Sequence, residues 1–129
     1  MVNPVIATLN NDIQMPLLGL GCWDMWGDAA QQTVETALQI GYRLIDTAAM
    51  YRNETEVGAG IAAAGISRAA LFVTTKVSND AQGYDSTLRA YEDSCRRLGL
   101  SYVDLYLVHW PIKAKRRDTW RALEQLYTS

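Results

Sequence analysis

The sequence predicts an α/β protein of about four βα units with parallel strands, preceded by a short β-hairpin. Strand-like apolar runs alternate with helix-period segments at a recurrence of roughly 30 residues, which suits parallel strands joined by right-handed crossovers. The runs at 71–77 and 103–108 are continuous rather than alternating, as expected of strands covered on both faces. Asp46, Lys76 and His109 each stand at or just past the C-terminal end of such a run, the end that carries the active site in parallel α/β folds.

In chain order, residues 5–9 and 13–15 are short apolar segments around Asn10, Asn11 and Asp12, which favour turns by bonding their own backbone. They predict a hairpin at about 5–15. After Pro16, Leu17, Leu18, Gly19, Leu20 and Gly21 form a brief strand whose glycines allow close approach of backbone or ligand. Asp28 is placed to cap a helix carrying Ala30, Val34, Ala37 and Leu38 at helical spacing, stopped by Gly41. Residues 43–46 form the second strand, and Asn53 is placed to cap a helix through Val57 and Ile61 that ends near Gly65.

Leu71, Phe72, Val73, Thr74 and Thr75 open the third strand. Asp85 or Ser86 begins the next helix, with Leu88, Tyr91, Cys95 and Leu98 on its apolar face and Gly99 closing it. Residues 103–108 form a similar buried strand. Asp118 is then placed to cap a helix carrying Trp120, Leu123, Leu126 and Tyr127, with Trp120 expected in the core. Periodicity leaves two architectures open, a doubly wound sheet or part of a (β/α)8 barrel. Gly19-Leu20-Gly21-Cys22-Trp23-Asp24 lacks the third glycine of a dinucleotide fingerprint, which weakens the first.

Composition narrows the function classes. The 129 residues are 49% hydrophobic with formal net charge −2, an ordinary globular balance. Twelve basic residues against 14 acidic ones supply no field for gripping nucleic acid or an anionic membrane. The one basic run, Lys113, Lys115, Arg116 and Arg117, precedes a helix start without interleaved aromatics and reads as a solvated loop. Cys22 and Cys95, with a single histidine, offer neither metal-ligand spacing nor a disulfide framework, so no metal is expected. A reducing cytoplasm fits, and neither a signal peptide nor a membrane span is expected.

Tyr51 follows the second strand closely enough to reach the rim where Asp46, Lys76 and His109 gather. A phenol is a poor proton donor near neutrality unless an adjacent ammonium favours its phenolate, and Lys76 is the ammonium available. Asp46 can hold Lys76 by an ion pair, while His109 can bond a substrate carbonyl or shuttle the proton. Together they make a general-acid site for a polarised C=O. Trp23 and Trp110 follow the first and fourth strands and are placed either to pack or to line a pocket, as is Trp26. Nothing near Cys22 would deprotonate it, so it is not read as a nucleophile.

These residues carry a family resemblance. Gly41-Tyr42-Arg43-Leu44-Ile45-Asp46-Thr47-Ala48-Ala49-Met50-Tyr51-Arg52-Asn53-Glu54-Thr55-Glu56-Val57-Gly58 resembles the long signature of aldo-keto reductases. Leu71-Phe72-Val73-Thr74-Thr75-Lys76-Val77, Asp104-Leu105-Tyr106-Leu107-Val108-His109-Trp110-Pro111 and Leu18-Gly19-Leu20-Gly21-Cys22-Trp23 are similar to the family's third, fourth and first strands. The likeness runs from about residue 4 to residue 126, with a motif order like that of bacterial members similar to diketogluconate reductases.

The resemblance implies the N-terminal half of a TIM (β/α)8 barrel that reduces an aldehyde or ketone with NADPH. The cofactor delivers hydride while the protein positions and protonates. It implies Asp46, Tyr51, Lys76 and His109 as catalytic residues, with Tyr51 the proton donor. Gly21, Cys22, Trp23 and Asp46 would meet the cofactor, and Trp23, Tyr51, His109 and Trp110 the substrate.

Family members continue past the fourth helix into a fifth strand with a Ser-Asn pair, a stacking tyrosine and a basic motif for the 2′-phosphate, whereas this sequence closes on Tyr127-Thr128-Ser129. The expectation is a truncated product, a fragment of a longer protein, or a half barrel that associates with itself through open edges. The alternative function is a catalytically incompetent fragment or a non-catalytic interaction module.

Overall fold

A computed structural model describes residues 5–129. Residues 1–4, part of the predicted domain and of the predicted leaderless N-terminus, lie outside the described residues. Strands β1 (Ile6–Thr8) and β2 (Gln14–Pro16) pair antiparallel with Ala7 opposite Met15, which is the predicted hairpin. Its turn closes where the Leu9 amide donates to the Ile13 carbonyl at 2.8 Å and Asn11 Oδ1 accepts from the Ile13 amide at 3.3 Å.

The remaining elements alternate: β3 (Leu20–Gly21), α1 (Gly27–Gln39), β4 (Leu44–Asp46), α2 (Glu54–Ala64), β5 (Phe72–Val77), α3 (Tyr84–Leu98), β6 (Leu105–Val108) and α4 (Arg116–Thr128). The four strands form one parallel sheet in the order β3-β4-β5-β6. Strand order follows chain order, so there is no switch point. Right-handed crossovers then place every helix on the same face, and each helix packs on the next. That arrangement is a stretch of barrel wall and rules out the doubly wound alternative, in which strand order reverses and helices cover both faces.

Register divides the strands between two faces. Ile45 and Val73 turn toward the helices and join Cys22, Val34, Leu38, Val57, Ile61, Leu71 and Leu98 in the core. Burying each Val, Leu or Ile there contributes about 1.5–3 kcal/mol, which fixes the register of the wall. Asp46 pairs with Gly21 and Thr74, and Lys76 with Leu107, so these residues share the opposite, inner face.

Helix ends follow the sequence better than helix starts. Gly65 and Gly99 close α2 and α3 in the left-handed conformation, each with φ of 67°. The predicted caps Asp28, Asp85 or Ser86, and Asp118 are corrected: the helices begin after Trp26, Gly83 and Lys115, without side-chain capping bonds. The aspartates fall inside the first turn, where a carboxylate is favoured by the helix dipole instead. Asn53 does occupy the position before α2, yet its side chain makes no cap.

Two burial expectations also change. β6 is only half-buried, with Leu107 37% exposed, because it pairs with a neighbour on one side alone within the described sheet. Trp120 is 60% exposed rather than core, since α4 turns Thr119 and Ala122 inward and Trp120 lies off that line. Lys113 and Lys115 are exposed in the loop before α4, whereas Arg116 and Arg117, expected in that loop, open the helix itself and are exposed there. No described helix is long and apolar enough to cross a membrane.

Candidate functional site

Parallel pairing of β4 with β5 sets Asp46 beside Thr74, and two residues further along the same face of β5 stands Lys76. The Lys76 ammonium has three donors and meets three acceptors: Asp46 Oδ1 in a short ion pair, the Thr47 carbonyl at 3.0 Å and the Tyr51 hydroxyl at 3.4 Å. Tyr51 reaches this point because residues Ala49–Tyr51 form a single 3₁₀ turn directly after β4, closed by the Tyr51 amide donating to the Ala48 carbonyl at 3.0 Å. The Lys76 side chain is 14% exposed and that of Asp46 36%, so the pair is shielded on one side and open toward the inner face.

His109 lies one residue past β6, its amide donating to the Val77 carbonyl at 3.3 Å. Its ring meets that of Tyr51 edge-on with centroids 5.5 Å apart, and Trp110 stacks behind it at 6.3 Å. Burial, joined by the positive charge of Lys76, holds the imidazole below its ordinary pKa of 6.5, so His109 is neutral at pH 7. The four residues predicted at the rim are therefore brought together.

The other predicted residues divide. Gly21 faces an open cleft of about 540 Å³, lined also by Leu17, Leu44, Asp46, Tyr51 and Lys76, and nothing stands within 4 Å of where its Cβ would be. Trp23 and Trp110 are exposed on the rim at 70% and 62%. Cys22 departs from the expectation. Its side chain is fully buried in the core, where desolvation pushes the thiol up to about 12, and its backbone amide and carbonyl are bonded to the Asp46 carbonyl and the Asn53 amide.

Three supporting residues escaped the sequence reading. Asn53, read as a cap, is fully buried; it accepts from Thr47 Oγ1 at 2.8 Å and donates to the carbonyls of Cys22 and Met25 at 2.7 and 3.0 Å. Gln82 is buried under the His109 loop, donating to the Trp110 carbonyl at 2.6 Å and accepting from the Ile112 amide at 3.2 Å. The buried Glu54 carboxylate accepts from Thr75, Ser94 and Arg97 and so joins α2, β5 and α3 behind the site. A polar side chain at the entrance to an otherwise apolar helix was the available signal for Asn53 and Glu54. Gln82, in a polar loop, gave none.

Chemically, the arrangement is a phenol held by a fixed ammonium beside a neutral imidazole, opening on a cleft. Residues 17–129 match the family described as Aldo/keto reductase family. A glyoxal reductase of Bacillus subtilis is 53% identical over 120 residues, which cover 92% of this chain and 44% of that protein. Among solved structures, an aldo/keto reductase from Brucella melitensis superposes with a TM-score of 0.95 at 45% identity, over 99% of this chain and 50% of that one. A Bombyx mori aldo-keto reductase in complex with NADP gives a TM-score of 0.90 at 35% identity, over 99% and 48% of the respective chains. The chain spans about half the length of the curated relatives it matches.

Proposed function

The chain belongs to the aldo/keto reductase family, and from that premise we propose that it carries the proton-transfer residues for NADPH-dependent reduction of an aldehyde or ketone to an alcohol. The observation that carries the reading is the Lys76 ammonium shared among Asp46, the Thr47 carbonyl and the Tyr51 hydroxyl. We take residues 1–129 as one partial barrel domain acting on a small carbonyl compound in a reducing cytoplasm, a setting that suits two free, buried thiols.

The inner-face cleft fits the reacting end of a nicotinamide cofactor. Gly21 leaves room for close approach, and the partly exposed Asp46 carboxylate engages Lys76 through Oδ1 alone among the described residues, leaving Oδ2 to accept a cofactor hydroxyl or amide. Gly21, Asp46 and Trp23 would hold that end, with Cys22 supporting them from the core. When bound, NADPH supplies the hydride.

Tyr51 donates its proton to the carbonyl oxygen as it becomes an alkoxide. The charge left on the phenol oxygen is met by Lys76, which Asp46 and the Thr47 carbonyl hold in place without reorganisation. His109, neutral at pH 7, donates from Nε2 to the same carbonyl oxygen; its Nδ1 is buried without a partner, so a proton there would be stranded. Trp23 and Trp110 wall the substrate side.

The test follows NADPH absorbance with a reactive aldehyde in the parent and in Tyr51→Phe. A loss of about 10²–10⁴-fold is expected for removal of the general acid, and equal rates in the two would sink the mechanism.

One observation favours a second reading, a non-catalytic half barrel that associates with itself. β3 and β6 each pair on one side only within the described sheet, and Leu17, Leu18 and Leu107 are exposed. Sedimentation with an NADPH titration separates the two: self-association without cofactor binding supports the module, and stoichiometric cofactor binding supports the reductase.

A further inference from the structure

Asn53 adds a side-chain bridge between two parts of the rim that are otherwise joined by β3–β4 backbone pairing, in which the Cys22 amide donates to the Asp46 carbonyl at 2.8 Å. The orientation of the Asn53 amide is fixed by its partners. Nδ2 faces the carbonyls of Cys22 and Met25, and Oδ1 faces the Thr47 hydroxyl, so the flipped amide would set an oxygen against two oxygens. Asn53 itself is fully buried, where an unmet polar atom is costly.

Each end of this bridge leads to the site. On one side, Thr47 accepts from the Lys76 ammonium through its backbone carbonyl while its hydroxyl binds Asn53. On the other side, the two captured carbonyls bracket Trp23 and Asp24, and Asp24 is held in the left-handed region with φ of 62°. Aspartate tolerates that conformation in turns, and the Asn53 amide bound to the carbonyls on either side of Trp23 and Asp24 pins both ends of this one. The turn so fixed presents Trp23 outward on the rim.

We propose that Asn53 is a positioning residue that locks the Trp23 loop to the Lys76–Tyr51 proton-transfer site, so that one buried amide sets the substrate wall relative to the proton donor. Its kinetic part rests on the reductase reading above. Its structural part does not.

Two readouts therefore test it. The first is Trp23 mobility, from fluorescence anisotropy and acrylamide quenching in a background where Trp26, Trp110 and Trp120 are phenylalanine. The second is KM against kcat for aldehyde reduction in the tryptophan-intact protein. Asn53→Ala is expected to free Trp23 and to raise KM on the order of tenfold, with a smaller fall in kcat.

Thr47→Val removes one bond of the bridge and keeps the fold testable should Asn53→Ala fail to fold. It is expected to loosen Trp23, and Thr47→Ser to restore the parent value. Parent-like mobility and KM in folded Asn53→Ala, or equal mobility in Thr47→Val and Thr47→Ser, overturns the proposal. Loosened Trp23 in a protein whose parent form oxidises no NADPH supports the bridge and removes the reductase reading instead.

Discussion

Lys76 holds its ammonium 3.4 Å from the Tyr51 hydroxyl and 5.1 Å from the centre of the Tyr51 ring, so the cation stands at the oxygen end of that side chain. The contact joins the C-terminal end of β5 to a 3₁₀ turn 25 residues earlier. It depends on the β4–β5 register, because a one-residue slip would turn Lys76 into the helix layer.

Replacing Lys76 by methionine keeps an unbranched side chain one atom shorter and removes all three donors. Aldehyde reduction is expected to fall about 10²–10³-fold, as when one preorganised charge contact is removed from a transition state. The fold should persist, because the freed Asp46 carboxylate is partly exposed and can be hydrated. Asp46→Asn retains an acceptor for Lys76 and should cost less. Steady-state rates alongside circular dichroism check both, and the mechanism fails if Asp46→Asn proves the more damaging.

His109 gives a pH dependence with a definite sign. Its folded pKa lies below the unfolded 6.5, first through burial and then through the charge of Lys76, so the unfolded chain binds the extra proton more readily. Its contribution to stability is fully present above pH 6.5 and is lost as pH falls through the lowered folded value. The melting temperature of the parent minus that of His109→Gln should be flat above pH 7 and decline below 6.5. A difference that grows on acidification would reverse the assignment.

The site was legible where local pattern determines it. Asp46, Lys76 and His109 could be placed because apolar runs mark strands, and parallel strands end on one rim. Tyr51 could be put near that rim only by its short distance from a strand end and by the family signature. The bonds of Asn53, Gln82 and Glu54 were not legible, since these partners lie 31 residues away at Cys22, 28 at Trp110 and 43 at Arg97. No local period encodes such bonds. Trp120 failed for a related reason: helical spacing finds a stripe, while the neighbouring helix decides which edge of it is covered.

Glu54 should be a larger source of stability than its place at a helix start suggests. Its side chain is 1% exposed and accepts from Thr75 Oγ1 at 2.7 Å, Ser94 Oγ at 3.3 Å and Arg97 at 2.7 and 3.0 Å. Glu54→Ala strands two buried hydroxyls and unpairs a cation, with an expected cost of about 3 kcal/mol by urea unfolding. Arg97→Ala leaves the carboxylate buried without its cation. It should also be destabilising, because a carboxylate 1% exposed then keeps only hydroxyl donors. Parent-like urea stability in Arg97→Ala would show that the hydroxyls alone hold the carboxylate.

Two glycines make a paired prediction about packing that needs no assay of function. A Cβ on Gly58 would come 2.3 Å from the Leu98 carbonyl oxygen and 2.6 Å from its carbon, all backbone, where α2 crosses the end of α3. A Cβ on Gly19 would come equally close, at 2.3 Å, but to Leu44 Cδ2, the far end of a flexible side chain beside the open cleft. Equal distances therefore imply unequal costs. Gly58→Ala must push two helices apart and disturb the Val57, Ile61 and Leu98 contacts of the core, an overpacking cost of about 1–3 kcal/mol or more. Gly19→Ala requires a new Leu44 rotamer and a few tenths of an ångström of give at Leu44 Cβ, 3.1 Å away, and should cost less than Gly58→Ala. Thermal unfolding of the two single variants, with a Gly19→Ala, Leu44→Val double variant as control, checks the ranking. Comparable losses at both glycines would mean that the α2–α3 contact yields as easily as a side chain, contrary to a core in which Leu98 is buried against both helices.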